Sequence, residues 1–161
     1  LTHKLNKELG PDMLSDPPTQ SEFISCFRRK DHWNITKAMM NQKVVAGIGN
    51  YIKAEVLYRA KISPMLLVSE LSDAQLIDIY DQTCWVIKAS YESRGATIRD
   101  YVMPDGTVGD YQFKFLCYSQ SMCPEKHRII CHETPDKRTT WWCPECQISN
   151  IKATIQETLP N

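Results

Sequence analysis

Four residues near the C-terminal end of the chain have the types and the spacing of a zinc site. They form the pattern Cys123-x3-His127-x15-Cys143-x2-Cys146. Zinc in structural sites takes four thiolate or imidazole ligands at tetrahedral positions, and two short turns can supply two ligands each. Because four protein ligands leave no open position for water, the pattern predicts one structural Zn2+ and no catalytic metal.

The alternatives to this ligand set fit less well. A redox Cys-x-x-Cys is expected to open a helix after a buried strand, whereas Cys143 and Cys146 follow a predicted hairpin. Cys131 and His132 are rival ligands for the first half of the site, but neighbouring residues of a strand point to opposite faces. With seven cysteines and no signal-peptide pattern, a complete disulfide framework is also a poor fit.

A glycine turn earlier in the chain has the chemistry of a phosphate site. Gly47 and Gly49 flank Ile48 and lead into a predicted helix that starts at Asn50. The first turn of a helix carries unpaired N–H groups and a partial positive charge, and both suit a phosphate oxygen. The amide of Asn50 can donate to the same phosphate or accept from the helix. The alternative is an ordinary helical hairpin in which the glycines only permit close packing.

The charge around this turn is compatible with an anionic partner. The whole chain has 19 basic and 19 acidic residues, but the stretch from Arg28 to Lys61 holds eight basic residues and two acids. Lys43 lies within this stretch, shortly before the turn. A local field of this size attracts a polyanion, although a solvated surface explains the charges equally well.

Arg138 is a second candidate for a phosphate contact. It follows the predicted turn 135–137 and precedes the second cysteine pair. A guanidinium on a metal-stiffened hairpin can bind a phosphate through two parallel hydrogen bonds or enter a groove. A solvated arginine at a turn is the alternative. The candidate DNA-binding residues are therefore Asn50, Arg138, Gly47, Gly49 and Lys43.

The elements that must position these residues are mainly helical, followed by a short β module. Caps and apolar periodicity predict helices over 21–30, 34–42, 50–60 and 72–95, and strands over 111–118, 128–133 and 139–142. The longest helix is expected to turn inward Leu76, Ile77, Tyr80, Cys84, Ile87 and Tyr91. The expected domains are a helical DNA-binding domain (1–110), a zinc-finger hairpin (111–147) and a tail (148–161). No apolar run reaches the roughly 18 residues that span a membrane.

Together, these motifs resemble the C-terminal half of the Fpg/Nei family, the formamidopyrimidine-DNA and endonuclease VIII glycosylases. The similarity runs in order along nearly the whole chain. It begins at 9–14, continues through the family's helix–two-turn–helix at 44–64 and the following loop at 95–109, and ends with the zinc-finger close at 138–147. The resemblance implies a mainly α helix–two-turn–helix domain followed by a small β-hairpin zinc finger, with the family's N-terminal catalytic β-sandwich absent.

The same resemblance implies a function in base-excision repair. The family's full-length enzymes are bifunctional DNA glycosylase/AP lyases whose nucleophile is an N-terminal proline amine followed by a glutamate. This chain begins at Leu1 and has neither there, so it is expected to be a fragment that binds DNA and carries no catalytic residue of its own. By the same matching, Asn50 and Arg138 correspond to the family's two phosphate contacts beside the flipped base.

The first half of the metal motif points to one branch of the family. Cys123-x3-His127 departs from the common C-x2-C and, with the Trp-Trp-Cys-Pro approach at 141–144, resembles the Cys-His-Cys-Cys finger of a eukaryotic and viral Nei-like branch. That branch favours oxidised pyrimidines and ring-opened purines, often in single-stranded or bubble DNA. The expected partners are damaged DNA and the missing N-terminal domain, and no membrane. The expected state is an intracellular monomer, nuclear in a eukaryote and otherwise cytoplasmic or virus-encoded.

Two other functions remain open from the sequence. Helix–two-turn–helix units also occur in ribosomal and topoisomerase proteins, so a stand-alone nucleic-acid-binding module without catalysis is the main alternative. The zinc finger, with the segment 138–142 that leads into its second cysteine pair, argues against this alternative, since ribosomal and topoisomerase proteins are not expected to carry such a finger. The other alternative is a purely structural zinc-ribbon interaction protein, which would show no salt-dependent affinity for DNA.

Overall fold

The computed structural model describes residues 9–97 and 113–148, except for the side chains of 93–97. Over these residues the chain forms α1 (Gln20–Arg28), α2 (Ile35–Met40), α3 (Asn50–Arg59), a 3-10 helix (Val68–Glu70), α4 (Asp73–Thr97), β1 (Ile130–Glu133) and β2 (Thr139–Trp142). The strands pair antiparallel, so the predicted fold class, helices followed by a small β hairpin, is confirmed. Among the described residues, no helix has both the length and the hydropathy needed to cross a bilayer.

Side-chain caps fix the starts of α1, α2 and α4. The Thr19 hydroxyl accepts from the Glu22 N–H at 3.2 Å and the Glu22 carboxylate accepts from the Thr19 N–H at 3.0 Å, which fixes the start of α1. Ser72 and Gln75 make the corresponding pair of bonds before α4. Asn34 caps α2 through its side-chain oxygen. These bonds satisfy N–H groups that the first turn of a helix leaves unpaired.

The hydrophobic core of the helical domain is formed by buried residues of all four α-helices and of the segments between them. Phe23 and Phe27 of α1 are fully buried, and their rings stack with centroids 4.5 Å apart. Helix α3 is buried continuously from Ile52 to Tyr58. Because α3 contacts both α4 and β2, it is the element that joins the helical domain to the hairpin.

The buried face of α4 differs from the prediction. Ile87 is buried as expected, but Tyr91 is 57% exposed. The buried face also includes two polar residues, because the Thr83 hydroxyl donates to the Ile79 carbonyl at 2.6 Å and the Ser90 hydroxyl donates to the Ile87 carbonyl at 3.3 Å. A hydroxyl that bonds to its own helix can be buried at little cost. The prediction also missed Ile79 and Val86, which are fully buried, so the buried stripe lies further round the helix than expected.

The β region is shorter than predicted. Residues 113–118 form no strand, and β1 begins at Ile130, two residues later than expected. The carboxylate of Glu55, on α3, instead accepts hydrogen bonds of 2.7 to 3.0 Å from three consecutive N–H groups, those of Leu116, Cys117 and Tyr118. These N–H groups are therefore not available to a β ladder. The first two residues of the predicted strand, the loop from residue 98 to 109 and the tail from residue 149 lie outside the described residues.

Candidate nucleic-acid interface and metal centre

The four residues predicted as metal ligands lie together at the base of the hairpin. Their ligand atoms are all within 4.8 Å of one another. Cys123 Sγ lies 3.6 Å from His127 Nδ1, 3.9 Å from Cys146 Sγ and 4.0 Å from Cys143 Sγ. Tetrahedral zinc, with bonds of about 2.3 Å to sulfur and about 2.0 Å to nitrogen, separates two sulfurs by about 3.8 Å and a sulfur from a nitrogen by about 3.5 Å. The cluster therefore fits a single four-coordinate metal ion.

The two rival ligands are engaged elsewhere or face solvent. His132 accepts from the Trp142 indole N–H at 2.9 Å through Nε2, and its Nδ1 lies 3.0 Å from the Glu133 carbonyl. Cys131 is exposed on β1. Neither side chain belongs to the four-residue cluster.

The thiols of the cluster are arranged so that a cation stabilises them together. Burial on its own raises the pKa of Cys123, but hydrogen bonds from the backbone N–H groups of His127 and Glu125 outweigh it and lower the pKa to about 7. Burial, together with the neighbouring Cys143 thiol and the Glu125 carboxylate, raises the pKa of Cys146 to about 12. A divalent cation removes this conflict because it stabilises all the thiolates at once, and metal binding then releases protons.

The metal cluster is also packed onto the helical domain. Gln147 is 1% exposed, accepts from the Cys143 N–H at 2.7 Å and donates from its amide to the Ile62 carbonyl at 3.0 Å. Tyr58 of α3 belongs to the same small core as Cys123, and burial together with its hydrogen bond to that thiol raises the pKa of the phenol. A bound metal would therefore fix the hairpin relative to α3 as well as hold the hairpin itself.

The glycine turn places the N-terminal end of α3 next to open space. Gly47 has a φ of 101°, in the left-handed region that favours glycine. Gly49 is the N-cap of α3, and a Cβ added there would meet no atom within 4 Å. Since Gly49 has no side chain, this helix end has no side-chain cap. A phosphate oxygen can therefore approach the first turn of the helix.

The two glycines are expected to respond differently to alanine. Gly47→Ala forces a Cβ into a left-handed backbone and within 3.3 Å of Asp12 Oδ1, and should lower the free energy of unfolding by about 1–2 kcal/mol. Gly49→Ala is the matched control, because its φ of −95° suits alanine, and it should cost about 0.5 kcal/mol. Urea unfolding of both variants measures this. Equal losses would show that the turn does not depend on a left-handed residue.

Asn50 connects the tip of α3 to the hairpin. Its Nδ2 donates to the Thr139 carbonyl at 3.0 Å, and its Oδ1 accepts from Lys53 Nζ at 2.7 Å. A side-chain amide has two N–H donors, so one donor remains beyond these bonds. Thr139 directly follows Arg138, and the two predicted phosphate contacts therefore lie on adjoining elements at one edge of the protein.

The structure brings together only some of the predicted DNA-binding residues. Arg138 is exposed at the end of the hairpin turn, next to the residue that binds Asn50. Lys43 is also exposed, but it lines a groove beside α1 together with Arg29. No contact within the described part of the chain joins Lys43 to Asn50 or Arg138, so a role for Lys43 stays a prediction.

Part of the basic charge predicted around the glycine turn is neutralised. Three of the eight cations between Arg28 and Lys61 form ion pairs with acids that the structure describes. These pairs are Arg28 with Asp31 and Asp73, Lys53 with Asp136, and Arg59 with Glu55. Two of these four acids lie outside the stretch in sequence, so counting charges along the chain overstated the field. The exposed cations of the stretch include Arg29, Lys37 and Lys43.

A buried ion pair that sequence reasoning missed joins α3 to the hairpin turn. Lys53 Nζ lies 2.5 Å from Asp136 Oδ2, and the two side chains are 0% and 1% exposed. Burial on its own raises the pKa of Asp136, but the bonds from Lys53 and Thr134 outweigh it and hold the pKa below its usual value. The signal in the sequence was the presence of Lys53 and Glu55 among the apolar residues of a single helix. Both side chains are buried. Lys53 binds Asp136 of the hairpin turn, and Glu55 binds backbone N–H groups of the segment 116–118.

Comparison with known proteins places these features in a family context. The family model for the formamidopyrimidine-DNA glycosylase H2TH domain matches residues 9–102. The formamidopyrimidine-DNA glycosylase of Xanthomonas euvesicatoria pv. vesicatoria (strain 85-10) is 32% identical over 148 residues, which make up 91% of this chain and 54% of that protein. The chain thus spans about half the length of the curated relatives that it matches.

Solved structures show the same fold. The chain aligns with Lactococcus lactis Fpg, in its complex with an abasic site containing DNA, with a TM-score of 0.71 and 26% identity, covering 91% of this chain and 54% of that one. It aligns with the MutM (Fpg) protein of Thermus thermophilus with a TM-score of 0.68 and 27% identity, covering 87% of this chain and 54% of that one.

Proposed function

The chain belongs to the Fpg/Nei family of DNA glycosylases, and on that premise we propose that its 161 residues are the DNA-gripping portion of a base-excision-repair enzyme. One observation carries this proposal: the Asn50 amide at the open tip of α3 is bonded to Thr139, the residue that follows Arg138. A helix tip and an arginine in this arrangement offer donors to neighbouring phosphates. The DNA in the Lactococcus lactis complex supports DNA as the ligand.

Each residue at this edge of the protein has its own role in binding DNA. The remaining N–H of Asn50 donates to one phosphate, and the absence of a side chain at Gly49 lets that phosphate approach the helix end. The guanidinium of Arg138 binds the neighbouring phosphate through two donors. Lys43 acts at longer range, by adding to the attraction of the strand. Such contacts position the protein on the backbone and carry no sequence information.

The ion in the Cys-His-Cys-Cys cluster is a single structural Zn2+. Three thiolates and one imidazole suit zinc better than the harder divalent cations, which prefer oxygen ligands. Cys123, His127, Cys143 and Cys146 would hold it. The ion supplies no chemistry to the reaction, because four protein ligands fill its coordination sphere; it holds the hairpin turn in place beside α3.

The full-length protein is, in this proposal, a bifunctional DNA glycosylase/AP lyase for oxidised pyrimidines and ring-opened purines. Its substrates include single-stranded and bubble DNA. The amine of an N-terminal proline attacks the sugar carbon that bears the damaged base, the base leaves, and the resulting Schiff base leads to strand cleavage. That amine and the glutamate after it belong to a portion outside these 161 residues. In this proposal the 161-residue chain is a monomer that binds DNA and does not cut it.

Two measurements on the purified chain test this proposal. Fluorescence anisotropy with an abasic-site oligonucleotide should give a log K that falls with log salt at a slope steeper than about −1, because each neutralised phosphate contributes about −0.9. Borohydride treatment of the same complex should trap no covalent adduct. An affinity that is absent or independent of salt would contradict the DNA grip, and a trapped adduct would contradict the separation of grip from chemistry.

A further inference from the structure

The buried ion pair between Lys53 and Asp136 lies at the joint between the two proposed phosphate contacts. We infer that this pair is a positioning device: it orients the Asn50 amide from one side and the turn before Arg138 from the other, so that both donors face one strand of DNA together. This inference rests on the proposed function, since it concerns the geometry of the same edge. Neither Lys53 nor Asp136 touches the ligand, because both side chains are almost fully buried.

On the helix side, Lys53 determines which way the Asn50 amide points. The ammonium is a donor only, and it lies 2.7 Å from Asn50 Oδ1. The amide oxygen must therefore face Lys53, which turns Nδ2 towards the hairpin, where it donates to the Thr139 carbonyl at 3.0 Å. With both of these bonds in place, the amide presents its second N–H as a donor. Without the cation, the amide can rotate and present its oxygen, which a phosphate repels.

On the hairpin side, Asp136 holds the turn that precedes Arg138. Its Oδ1 accepts from the Thr134 hydroxyl at 2.5 Å and from the Arg138 N–H at 3.3 Å, while its Oδ2 accepts from Lys53. The turn needs this support because Lys137 has a φ of 64°, a conformation that lysine rarely adopts. The carboxylate therefore fixes the point from which the Arg138 side chain leaves the backbone.

An ion pair at this position supplies directional hydrogen bonds, which an apolar pair of similar volume cannot supply. Replacing a buried ion pair by apolar residues of similar volume often leaves protein stability unchanged or raises it. Removing only one partner lowers stability, because it leaves a buried charge unpaired. Apolar side chains could thus hold α3 and the hairpin together at least as well as Lys53 and Asp136 do. They have no atom that can bond to Asn50 Oδ1 or to the Arg138 N–H, so they cannot orient either donor.

A paired replacement separates positioning from stability. Lys53→Met and Asp136→Leu, made together in the full chain, should give a protein with a thermal midpoint close to that of the wild type but with about tenfold weaker affinity for an abasic-site oligonucleotide. A double variant with both the thermal midpoint and the DNA affinity of the wild type would overturn the inference. Should the double variant not fold, Lys53→Met and Asp136→Asn can be compared at a temperature where each is folded, with the same expected loss of affinity.

A second cycle tests whether Lys53 acts through Asn50. In an Asn50→Ala background, Lys53→Met should weaken binding less than it does in the wild-type chain, because the amide that it orients is gone. An equal loss in both backgrounds would show that Lys53 does not act through Asn50 and would overturn that half of the inference. Arg59→Met is the matched control, since Arg59 belongs to the other ion pair of α3, with Glu55. It should lower the thermal midpoint and leave the affinity of the folded protein unchanged. A wild-type chain with no salt-dependent affinity for DNA would contradict the proposed function itself, whatever the variants show.

Discussion

Removal of the metal is expected to abolish the hairpin and with it nearly all affinity for DNA. Among the described residues, the small core around the cluster holds five that are buried, namely Tyr58, Cys117, Cys123, Ile129 and Cys143. Two of these are metal ligands, so little apolar area remains to fold the module alone. Structural zinc contributes about 10–16 kcal/mol in comparable small domains. A chelator, or Cys143→Ser, should therefore weaken binding of an abasic-site oligonucleotide by at least about a hundredfold.

The helical domain should survive this change, because its core is separate. Within the part of the chain that the structure describes, the buried residues of that core include none of the four ligands. The far-ultraviolet circular dichroism of the helices is therefore expected to persist while DNA binding is lost. Cys131→Ser is the matched control, since Cys131 is an exposed cysteine outside the cluster, and it should bind metal and DNA like the wild type. Wild-type DNA affinity in the metal-free protein would contradict the role given to the ion.

Arg138→Ala and Asn50→Ala are expected to weaken DNA binding in distinguishable ways. Arg138 carries a charge, so its loss should cost about tenfold to a hundredfold in affinity and reduce the slope of log K against log salt by about one. Asn50 is neutral, so its loss should cost about tenfold and leave the slope unchanged, because no counterion release depends on it. Anisotropy titrations at several salt concentrations measure both quantities.

Two controls keep this comparison specific. Arg128→Ala removes the same charge from another exposed position of the finger. If Arg138 contacts a phosphate directly, Arg128→Ala should weaken DNA binding much less than Arg138→Ala does. Thermal melting of Asn50→Ala is needed as well, since that variant also loses the bonds to Thr139 and Lys53. Equal losses for both arginines would mean that the finger attracts DNA through its net charge only.

The metal site and the helix caps could be predicted from the sequence because both depend on short spacings. Two turns carrying Cys123 with His127 and Cys143 with Cys146 had to face each other once a hairpin formed between them. The capping residues Thr19 and Ser72 act within three residues of their own position. Such local patterns need no knowledge of the tertiary structure.

The features that failed depend on contacts between residues far apart in the chain. Lys53 pairs with a residue 83 positions away, and Glu55 binds N–H groups 61 to 63 positions away. Along the sequence both read as solvated charges or as part of a basic field. The strand predicted over 111–118 failed in its described part, residues 113–118, for the same reason. β propensity cannot show that a buried carboxylate takes the N–H groups of that segment.

A crystal structure of the full chain bound to an oligonucleotide with an abasic site tests the central claim most directly. The account predicts that Asn50 Nδ2 and the Arg138 guanidinium lie within hydrogen-bonding distance, about 2.7–3.2 Å, of oxygens on neighbouring phosphates of one strand, with the Lys53–Asp136 pair still buried behind them. DNA seated instead against Lys43 and Arg29, with the tip of α3 and the hairpin turn free of phosphate, would contradict it.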